Sequence, residues 1–451
     1  MQKNDISFYI VGGAVRDALL GKEPHDYDIV VEGAIPEKMK DLGFIQVGKS
    51  FPVFLHPVTK MEFALCRKEV KTGNKHTDFE FVWDNVTLLE DLERRDFTIN
   101  AMACACTVFT NTGEIIPITI SDEKKIENCY IIDHHYGRQD LYNKIIRHVN
   151  AKHFIEDPLR VLRACRFAAQ LGFEIAPETM TLLKKMVKEG MLEHLSRPRI
   201  DNEFIKAMSP GYESERFILY MKECGALKEL YPEIDALFNN EEQLKYHSTG
   251  NTGLHTMAAL KYNKNFDAHI KIAIVYHDIY KPVAYSLRQC SGEYVSHDSE
   301  DAIKYFTKKT EKREYSYKIK KACRVAIQHH MKMWKLFDGI AIKNYIDLIG
   351  EITKDFNESY FYLLEDLLKV CEADDMSDKT EECIQRGQTK DRIIKLREVC
   401  MIIFNICKNI KFRDVPNYQE LEPEKVKEKQ RYMRIEAVKK LFKELNSEFW
   451  N

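Results

Sequence analysis

Two carboxylates near the front of the chain have the spacing of a metal site. Asp26 and Asp28 stand two apart in His25-Asp26-Tyr27-Asp28-Ile29-Val30-Val31. In a strand, residues i and i+2 point to the same face, so the pair would aim two carboxylates at one spot. Like charges that close repel unless a cation lies between them. Hard oxygen ligands suit Mg2+, which also bridges to substrate phosphates, and a two-metal site steadies both oxygens of an in-line phosphoryl displacement. An isolated Asp-x-Asp is usually a solvated turn. This one follows Tyr9-Ile10-Val11-Gly12-Gly13-Ala14-Val15-Arg16-Asp17, which reads as a strand, a glycine pair and a helix start. Such a turn lets backbone approach a ligand closely and presents N–H groups to an anion, and Arg16 adds a phosphate contact.

Further along, Arg94 and Arg95 are adjacent cations in a strand or turn, where a surface salt bridge is the simpler reading. Arg160, Arg163 and Arg166 recur at i, i+3 and i+6, a drifting stripe on a helix that suits a triphosphate or the planar edge of a base. Asp157 lies about one turn earlier. The second half holds His255, His277-Asp278 and Asp374. The apolar run Ile272–Tyr276 puts His277 and Asp278 at the end of a buried helix. His and Asp together favour a divalent metal that activates water for phosphoester hydrolysis. His297 and His330 are further candidate ligands, balanced against ordinary buried histidines.

These motifs carry a resemblance. Gly12-Gly13…Arg16-Asp17 followed by Asp26-x-Asp28 resembles the head of the polymerase-beta-type nucleotidyltransferase superfamily. Arg94-Arg95-Asp96-Phe97-Thr98-Ile99-Asn100-Ala101-Met102-Ala103 resembles the RRDFTxNAMA signature of the class II tRNA nucleotidyltransferase/poly(A) polymerase family, and residues 156–167 resemble its EDPLRxLRxxRF element. The order His…His-Asp…Asp is similar to the HD phosphohydrolases. Residues 227–238 and 252–257 resemble stretches of the bacterial CCA-adding enzymes that carry a C-terminal HD domain. The resemblance implies that Asp26 and Asp28 are catalytic and hold Mg2+. It implies that Gly13, Arg16, Arg95, Arg160 and Arg163 bind nucleotide, with Asp157 and Arg160 on the Watson–Crick edge, selecting CTP or ATP without a template. It implies a second divalent metal, of unassigned identity, at His255, His277, Asp278 and Asp374. The partners implied are tRNA, CTP and ATP, with no membrane. Monomer and homodimer stay open.

Two departures stand out. Residues 112–136 exceed the family's usual link into Gly137-Arg138-Gln139-Asp140-Leu141, which predicts a surface insertion. His277-Asp278 continues as Ile279-Tyr280-Lys281 where the family reads Leu-Gly-Lys, and a tyrosine there would crowd the metal site. A poly(A) polymerase, an enzyme adding only C or only A, or a phosphohydrolase whose head only binds tRNA are the alternatives.

The elements that must position these residues follow from patterning. Residues 8–11, 29–31 and 53–55 read as strands and 14–20 as a helix; from about residue 151 the apolar spacing is helical throughout. The fold class predicted is α+β, a nucleotidyltransferase head of mixed sheet and helices followed by a long helical body that includes an HD domain. The expected domains are a head over 1–147, a helical, nucleotide-selecting and RNA-binding neck over 148–240, an HD domain over 241–376 and a charged helical tail over 377–451. The 451 residues carry 68 Lys and Arg against 70 Asp and Glu, a net −2 that conceals −5 over residues 1–150, −1 over 151–240 and +4 over 241–451. Residues 304–324 hold nine basic side chains against two glutamates, with Tyr305, Tyr315 and Tyr317 between them, which suits phosphate tracking. No stretch reads as a signal peptide or a membrane span, and the twelve cysteines show no metal spacing. A cytoplasmic protein with free thiols is expected.

Overall fold

The computed structural model describes residues 6–24, 26–47, 53–71, 79–83, 85–109, 111–118, 125–240, 250–292, 294–335, 341–377 and 390–444. The fold is α+β, a mixed sheet with helices followed by a helical body. The chain forms two compact units, residues 1–196 with 223–226, and residues 197–222 with 227–451.

The first unit is built on a sheet of strands β1 (Ser7–Val11), β2 (Asp28–Glu32), β3 (Ile45–Val47), β4 (Val53–Leu55), β5 (Glu62–Leu65), β8 (Ala103–Val108), β9 (Ile115–Pro117) and β10 (Ile131–Ile132). Strands β6 (Lys68–Lys71) and β7 (Phe79–Val82) pair separately. The sheet order is β10-β8-β1-β2-β5-β4-β3, with β9 on β8. β2 runs antiparallel to β1 and parallel to β5, and its Ile29, Val30 and Val31 are all buried, as the unbroken apolar run of an inner strand requires. Cys104 and Cys106 on β8 are buried, and burial pushes the Cys106 thiol up to about 12.

Register decides what meets at one end of this sheet. Val11 ends β1 opposite both Asp28 and Ala103. Gly12 then takes φ +70° and gives its N–H to the Met102 carbonyl at 3.1 Å, turning the chain into helix Gly13–Leu19. The same turn ends the ladder. β1 has nothing left to pair with residues before Asp28, so Asp26 lies in the loop ahead of β2 rather than on the strand.

Helix Leu88–Glu93 opens with a Thr87–Glu90 capping box and stops at Arg94. A short 3-10 turn, Thr98–Asn100, follows and is braced by helix Gly137–Asn143. A Cβ on Gly137 would stand 2.3 Å from the Thr98 carbonyl oxygen and 2.9 Å from Met102 Cγ. Gly137→Ala should therefore cost about 2 kcal/mol by overpacking, read as a lower urea midpoint. The predicted insertion 112–136 supplies β9 and β10; its residues 119–124 lie outside the described residues.

The second unit is helical. Helix Ala268–Tyr276 is buried at all eight positions from His269 to Tyr276, only its first residue being partly exposed, so it threads a core and delivers His277 and Asp278 at its end. Its one buried lysine, Lys271, donates to the carbonyls of Ser209 (2.9 Å) and Tyr212 (3.0 Å) and to Ser214 Oγ (3.0 Å). The basic run 304–324 is divided. Arg313 is buried, donates to Asp201 Oδ1 at 3.2 Å and to the Leu230 carbonyl at 2.6 Å, and lies 3.9 Å over the Tyr231 ring. Tyr315 is buried with it, whereas Lys304, Lys308, Lys309, Lys312, Lys318 and Arg324 stay exposed. Helices Lys390–Asn409 and Pro423–Glu444, in the segment expected as a charged tail, put Leu396, Cys400, Ile403 and Val438 into one core with Tyr345, Ile349, Leu364 and Leu367. Among the described residues no helix is long and apolar enough to cross a membrane.

Candidate functional site

In the first unit the glycine turn gathers the predicted residues. A Cβ built on Gly12 would stand 3.0 Å from Arg95 Nη1, 3.6 Å from the Asn100 carbonyl oxygen and 3.8 Å from Asp28 Oδ2. One on Gly13 would lie 3.6 Å from Arg16 Nη2. A carboxylate and two guanidiniums thus surround backbone that no side chain obstructs. Asp28 and Asp26 are both exposed, Asp28 as the first residue of β2.

The arginines are held by a relay. Arg16, 4% exposed, donates through Nη1 to Asn100 Oδ1 at 2.7 Å and through Nε to Asp17 Oδ1 at 2.9 Å. Asn100 in turn donates to Asp96 Oδ1 at 3.1 Å, and Asp96 Oδ2 accepts from Arg163 Nε at 2.8 Å. Burial opposes charge on Asp96, but Arg163 and the Asn100 hydrogen bond outweigh it and hold its carboxyl below the usual range. Arg16, Arg163 and Arg166 lie 5.2, 5.4 and 4.1 Å over the single ring of Phe167. Arg166 is buried, so the stripe reaches solvent through Arg160 and Arg163.

Arg160 opens helix Arg160–Leu171 and donates to the His153 (2.7 Å) and Arg94 (2.8 Å) carbonyls. Asp157 precedes that helix in a turn, accepting the Leu159 N–H at 3.1 Å. Pro158 disfavours helical backbone at the residue before it, which is why Asp157 sits outside the helix.

Asp91 was not singled out by the motifs, yet it organises them. It is fully buried, with Arg94 Nη2 at 2.5 Å on one oxygen and Arg95 Nη2 at 3.2 Å on the other. The i, i+3 and i, i+4 spacing on a helix is the signal that finds it. Arg95 keeps a buried Nε that makes no hydrogen bond, a donor open to an anion. Burial opposes the Asp91 charge, but Arg95 and Arg94 win and lower its pKa. A depressed carboxylate contributes stability that is complete above its unfolded value, near pH 4, and is lost as pH falls through the folded value. Asp91→Asn should therefore cost about 2 kcal/mol at neutral pH, the arginines being part-exposed, and flatten the acid limb of a stability profile measured by urea unfolding.

The second unit assembles the histidine–aspartate set from four helices and a loop. His255 Nε2 lies 2.8 Å from Asp374 Oδ1, and His277 Nε2 lies 3.3 Å from the same oxygen and 3.2 Å from Asp278 Oδ2. The other oxygen, Asp278 Oδ1, faces His330 Nε2 at 3.4 Å and His297 Nε2 at 3.5 Å. Asp278 is thus shared by two nests, one with His255 and His277, the other with His297 and His330. His277 Nδ1 meets the Ile274 carbonyl at 2.6 Å and His330 Nδ1 the Ala326 carbonyl at 2.8 Å, which turns both Nε2 atoms inward. His277 Nε2, Asp278 Oδ1 and His297 Nε2 are buried and make no hydrogen bond, so the donor set fits a divalent cation.

Burial opposes charge on His277, Asp278 and Asp374. The Asp278 and Asp374 carboxylates nevertheless hold His277 well above the usual histidine value, and Asp278 lies well below the carboxylate range beside His277 and Lys281. Burial takes His297 down to about 4. Lys281 Nζ is 2.7 Å from Asp278 Oδ2, and Ser377 Oγ, a support outside the motif, is 3.0 Å from His255 Nδ1. Tyr280 packs its ring edge-on against Tyr305, 5.6 Å between centroids.

A mixed sheet whose strand ends collect a glycine turn, a carboxylate and clamped arginines defines a nucleotidyltransferase head. Comparison agrees: residues 8–147 match the family described as the poly(A) polymerase head domain, and residues 172–238 the probable RNA- and SrmB-binding site of polymerase A. A multifunctional CCA protein of Acinetobacter baumannii strain AYE is 39% identical over 330 residues, 72% of this chain and 74% of that one. A CCA-adding enzyme solved without ligand superposes with a TM-score of 0.56 at 19% identity, over 96% of this chain and 88% of that one. The Thermotoga maritima CCA-adding enzyme solved with tRNA gives 0.54 at 18% identity, over 98% and 92%. At such identity these two likenesses speak for the fold.

The chain belongs to the family of bacterial CCA-adding enzymes, and it is a nucleotidyltransferase.

Proposed function

We propose that this chain adds C, C and A to the 3′ end of tRNA from CTP and ATP, without a template. The tRNA 3′-oxygen attacks the α-phosphorus, a new P–O bond forms, the α–β anhydride bond breaks and pyrophosphate leaves. The observation that carries this reading is the meeting of Asp28, Arg95 and Arg16 around Gly12 and Gly13 at one end of the sheet. Asp26 and Asp28 would hold Mg2+, which supplies charge neutralisation at the reacting phosphate. Gly13 leaves room for the triphosphate, Arg16 and Arg95 meet its charge, and Arg163 is positioned through Asp96. Asp157 and Arg160 offer acceptor and donors to the base. CCA-adding enzymes of the same fold solved in complex with tRNA, with ATP and with CTP support these partners. Label incorporation into tRNA lacking its 3′ end, with CTP and ATP supplied separately and together, tests it. Ordered C, C, A is expected; adenylate runs would indicate a poly(A) polymerase, and one nucleotide only a partial enzyme.

A second activity rests on the orphaned atoms of the histidine–aspartate set. We assign it metal-dependent hydrolysis of 2′,3′-cyclic or 2′-phosphoesters, with His255, His277, Asp278 and Asp374 as ligands and His297 and His330 completing the outer nest. The metal would supply an activated water. The exposed lysines of the 304–324 run are offered as part of the tRNA footprint.

A further inference from the structure

The C-terminal helices of the second unit border an open cavity that neither site uses. It holds about 840 Å3, within the range of small-molecule sites. It is lined by the loop after helix Ile342–Ile352, by the turn around residues 411–421 and by the start of helix Pro423–Glu444.

The first of these walls is built under strain. Lys354, Asp355 and Phe356 have φ of 49°, 62° and 59°, three successive non-glycine residues in the left-handed region. A helix end commonly uses one such residue, usually glycine, and each L side chain there is unfavourable. The strain is held by Arg434, 6% exposed, which ion-pairs with Asp355 and lies 4.7 Å over the Phe356 ring while donating Nε to the Cys407 carbonyl at 3.1 Å. Strain maintained by a dedicated buried cation points to a use for the loop. Its visible effect is to put Lys354 in the cavity wall, with its Nζ packed 4.0 Å over the Tyr360 ring.

Charge and shape then narrow the ligand. The lining carboxylates are committed elsewhere, Asp355 to Arg434 and Glu358 to Lys408 at 2.9 Å. Lys411 and Lys427 remain as lining cations, with Lys354 in the adjoining wall. Phe412 is 50% exposed with its ring edge-on to Tyr418, 5.7 Å between centroids, an apolar face at the same cavity. Lysines recognise phosphate as point charges, and exposed aromatic rings stack bases. Inorganic phosphate would use only the first of these features.

We propose that this cavity binds a nucleotide, a phosphate joined to a planar base, supplied either as a free nucleotide or as an unpaired nucleotide of a bound RNA. The proposal does not rest on the transfer reaction. Equilibrium dialysis of the full-length protein against labelled AMP tests it, with oligoadenylate as competitor. Wild type and the head variant Arg163→Ala should share a class of AMP sites that weakens at least tenfold in Lys411→Glu/Lys427→Glu and about fivefold in Phe412→Ala. Lys411→Arg/Lys427→Arg should retain it, as should Lys439→Glu, a charge reversal on the same helix outside the cavity. Lys354→Gly, which relieves the backbone while removing the cation, should bind at least fivefold more weakly with a melting temperature no lower than wild type. Competition by oligoadenylate far tighter than by AMP would identify RNA as the source, and equal competition a free nucleotide. AMP and oligoadenylate binding the double glutamate variant as tightly as wild type, or neither binding wild type at millimolar concentration, would overturn the proposal. Incorporation of CTP at saturating tRNA, unchanged in the double variant, separates that failure from failure of the transferase reading.

Discussion

Asp28→Ala should lower nucleotide incorporation by about a thousandfold or more while leaving the fold intact. Losing one carboxylate that holds Mg2+ removes several kcal/mol of stabilisation from the reacting phosphate, and about 4 kcal/mol corresponds to three decades of rate. The structure says why stability should be spared. Asp28 is exposed, its strand pairing with Val11 is made by backbone, and its apolar neighbours Ile29, Val30 and Val31 carry the burial. Urea unfolding should shift by less than about 0.5 kcal/mol, as for surface substitutions generally. Asp26→Ala should fall in parallel, its loop being anchored by the start of β2. Incorporation within threefold of wild type in either variant would refute the assignment of that residue. Gly12→Ala offers an independent check on the same geometry. It combines a strained φ of +70° with a Cβ 3.0 Å from Arg95 Nη1, so it should lose both stability and rate.

Much of this head is visible in the residues themselves. The strands at 8–11, 29–31 and 53–55 are short apolar runs, and each forms where its pattern puts it. The pairing partners are not visible, because register is fixed by tertiary contacts. The period-2 rule places Asp26 and Asp28 on one strand face. Asp26 leaves the strand because Gly12 ends the neighbouring strand one residue too soon. The relay from Arg16 through Asn100 and Asp96 to Arg163 joins residues 84 and 67 positions apart, a closure that local spacing cannot reveal. Asp91 lies outside the motif yet is legible at helical spacing: it stands three and four residues before Arg94 and Arg95 and is the carboxylate that aims them.

In the second unit composition misleads where burial decides. Arg313 belongs by charge to the basic run and by contact to the core, where Asp201 and the Leu230 carbonyl take its donors. A guanidinium flanked by Tyr231 and paired to a buried carboxylate is a structural element, so the phosphate-tracking reading retains the exposed lysines and loses this residue. The charged appearance of residues 423–444 similarly hides Val438, Ile435 and Phe442, which are enough apolar side chains to join a core. The strained turn at 354–356 leaves no mark in the sequence, since no glycine announces it.

Asp278 is where the two nests of the histidine–aspartate set can be separated by experiment. One oxygen faces His277 and Lys281 while the other faces His297 and His330, so a single carboxylate links both groups of ligands. Asp278→Asn should abolish divalent-metal retention measured by elemental analysis and lower hydrolysis of 2′,3′-cyclic AMP by about a hundredfold or more, the scale on which even supporting residues of metal sites act. His297→Ala removes a ligand from the outer nest alone and leaves His255, His277 and Asp374 at their distances, so it should retain metal and lose less activity. CTP incorporation should stay within about threefold of wild type in both variants, because the proposed transfer residues all lie in the other unit. The amide keeps the shape of the carboxylate, so a cooperative melt close to that of wild type is the control for folding. Full hydrolysis by Asp278→Asn would place any phosphodiesterase activity elsewhere in the molecule, and equal losses in the two variants would mean that the nests act as one site rather than in the graded order their geometry predicts.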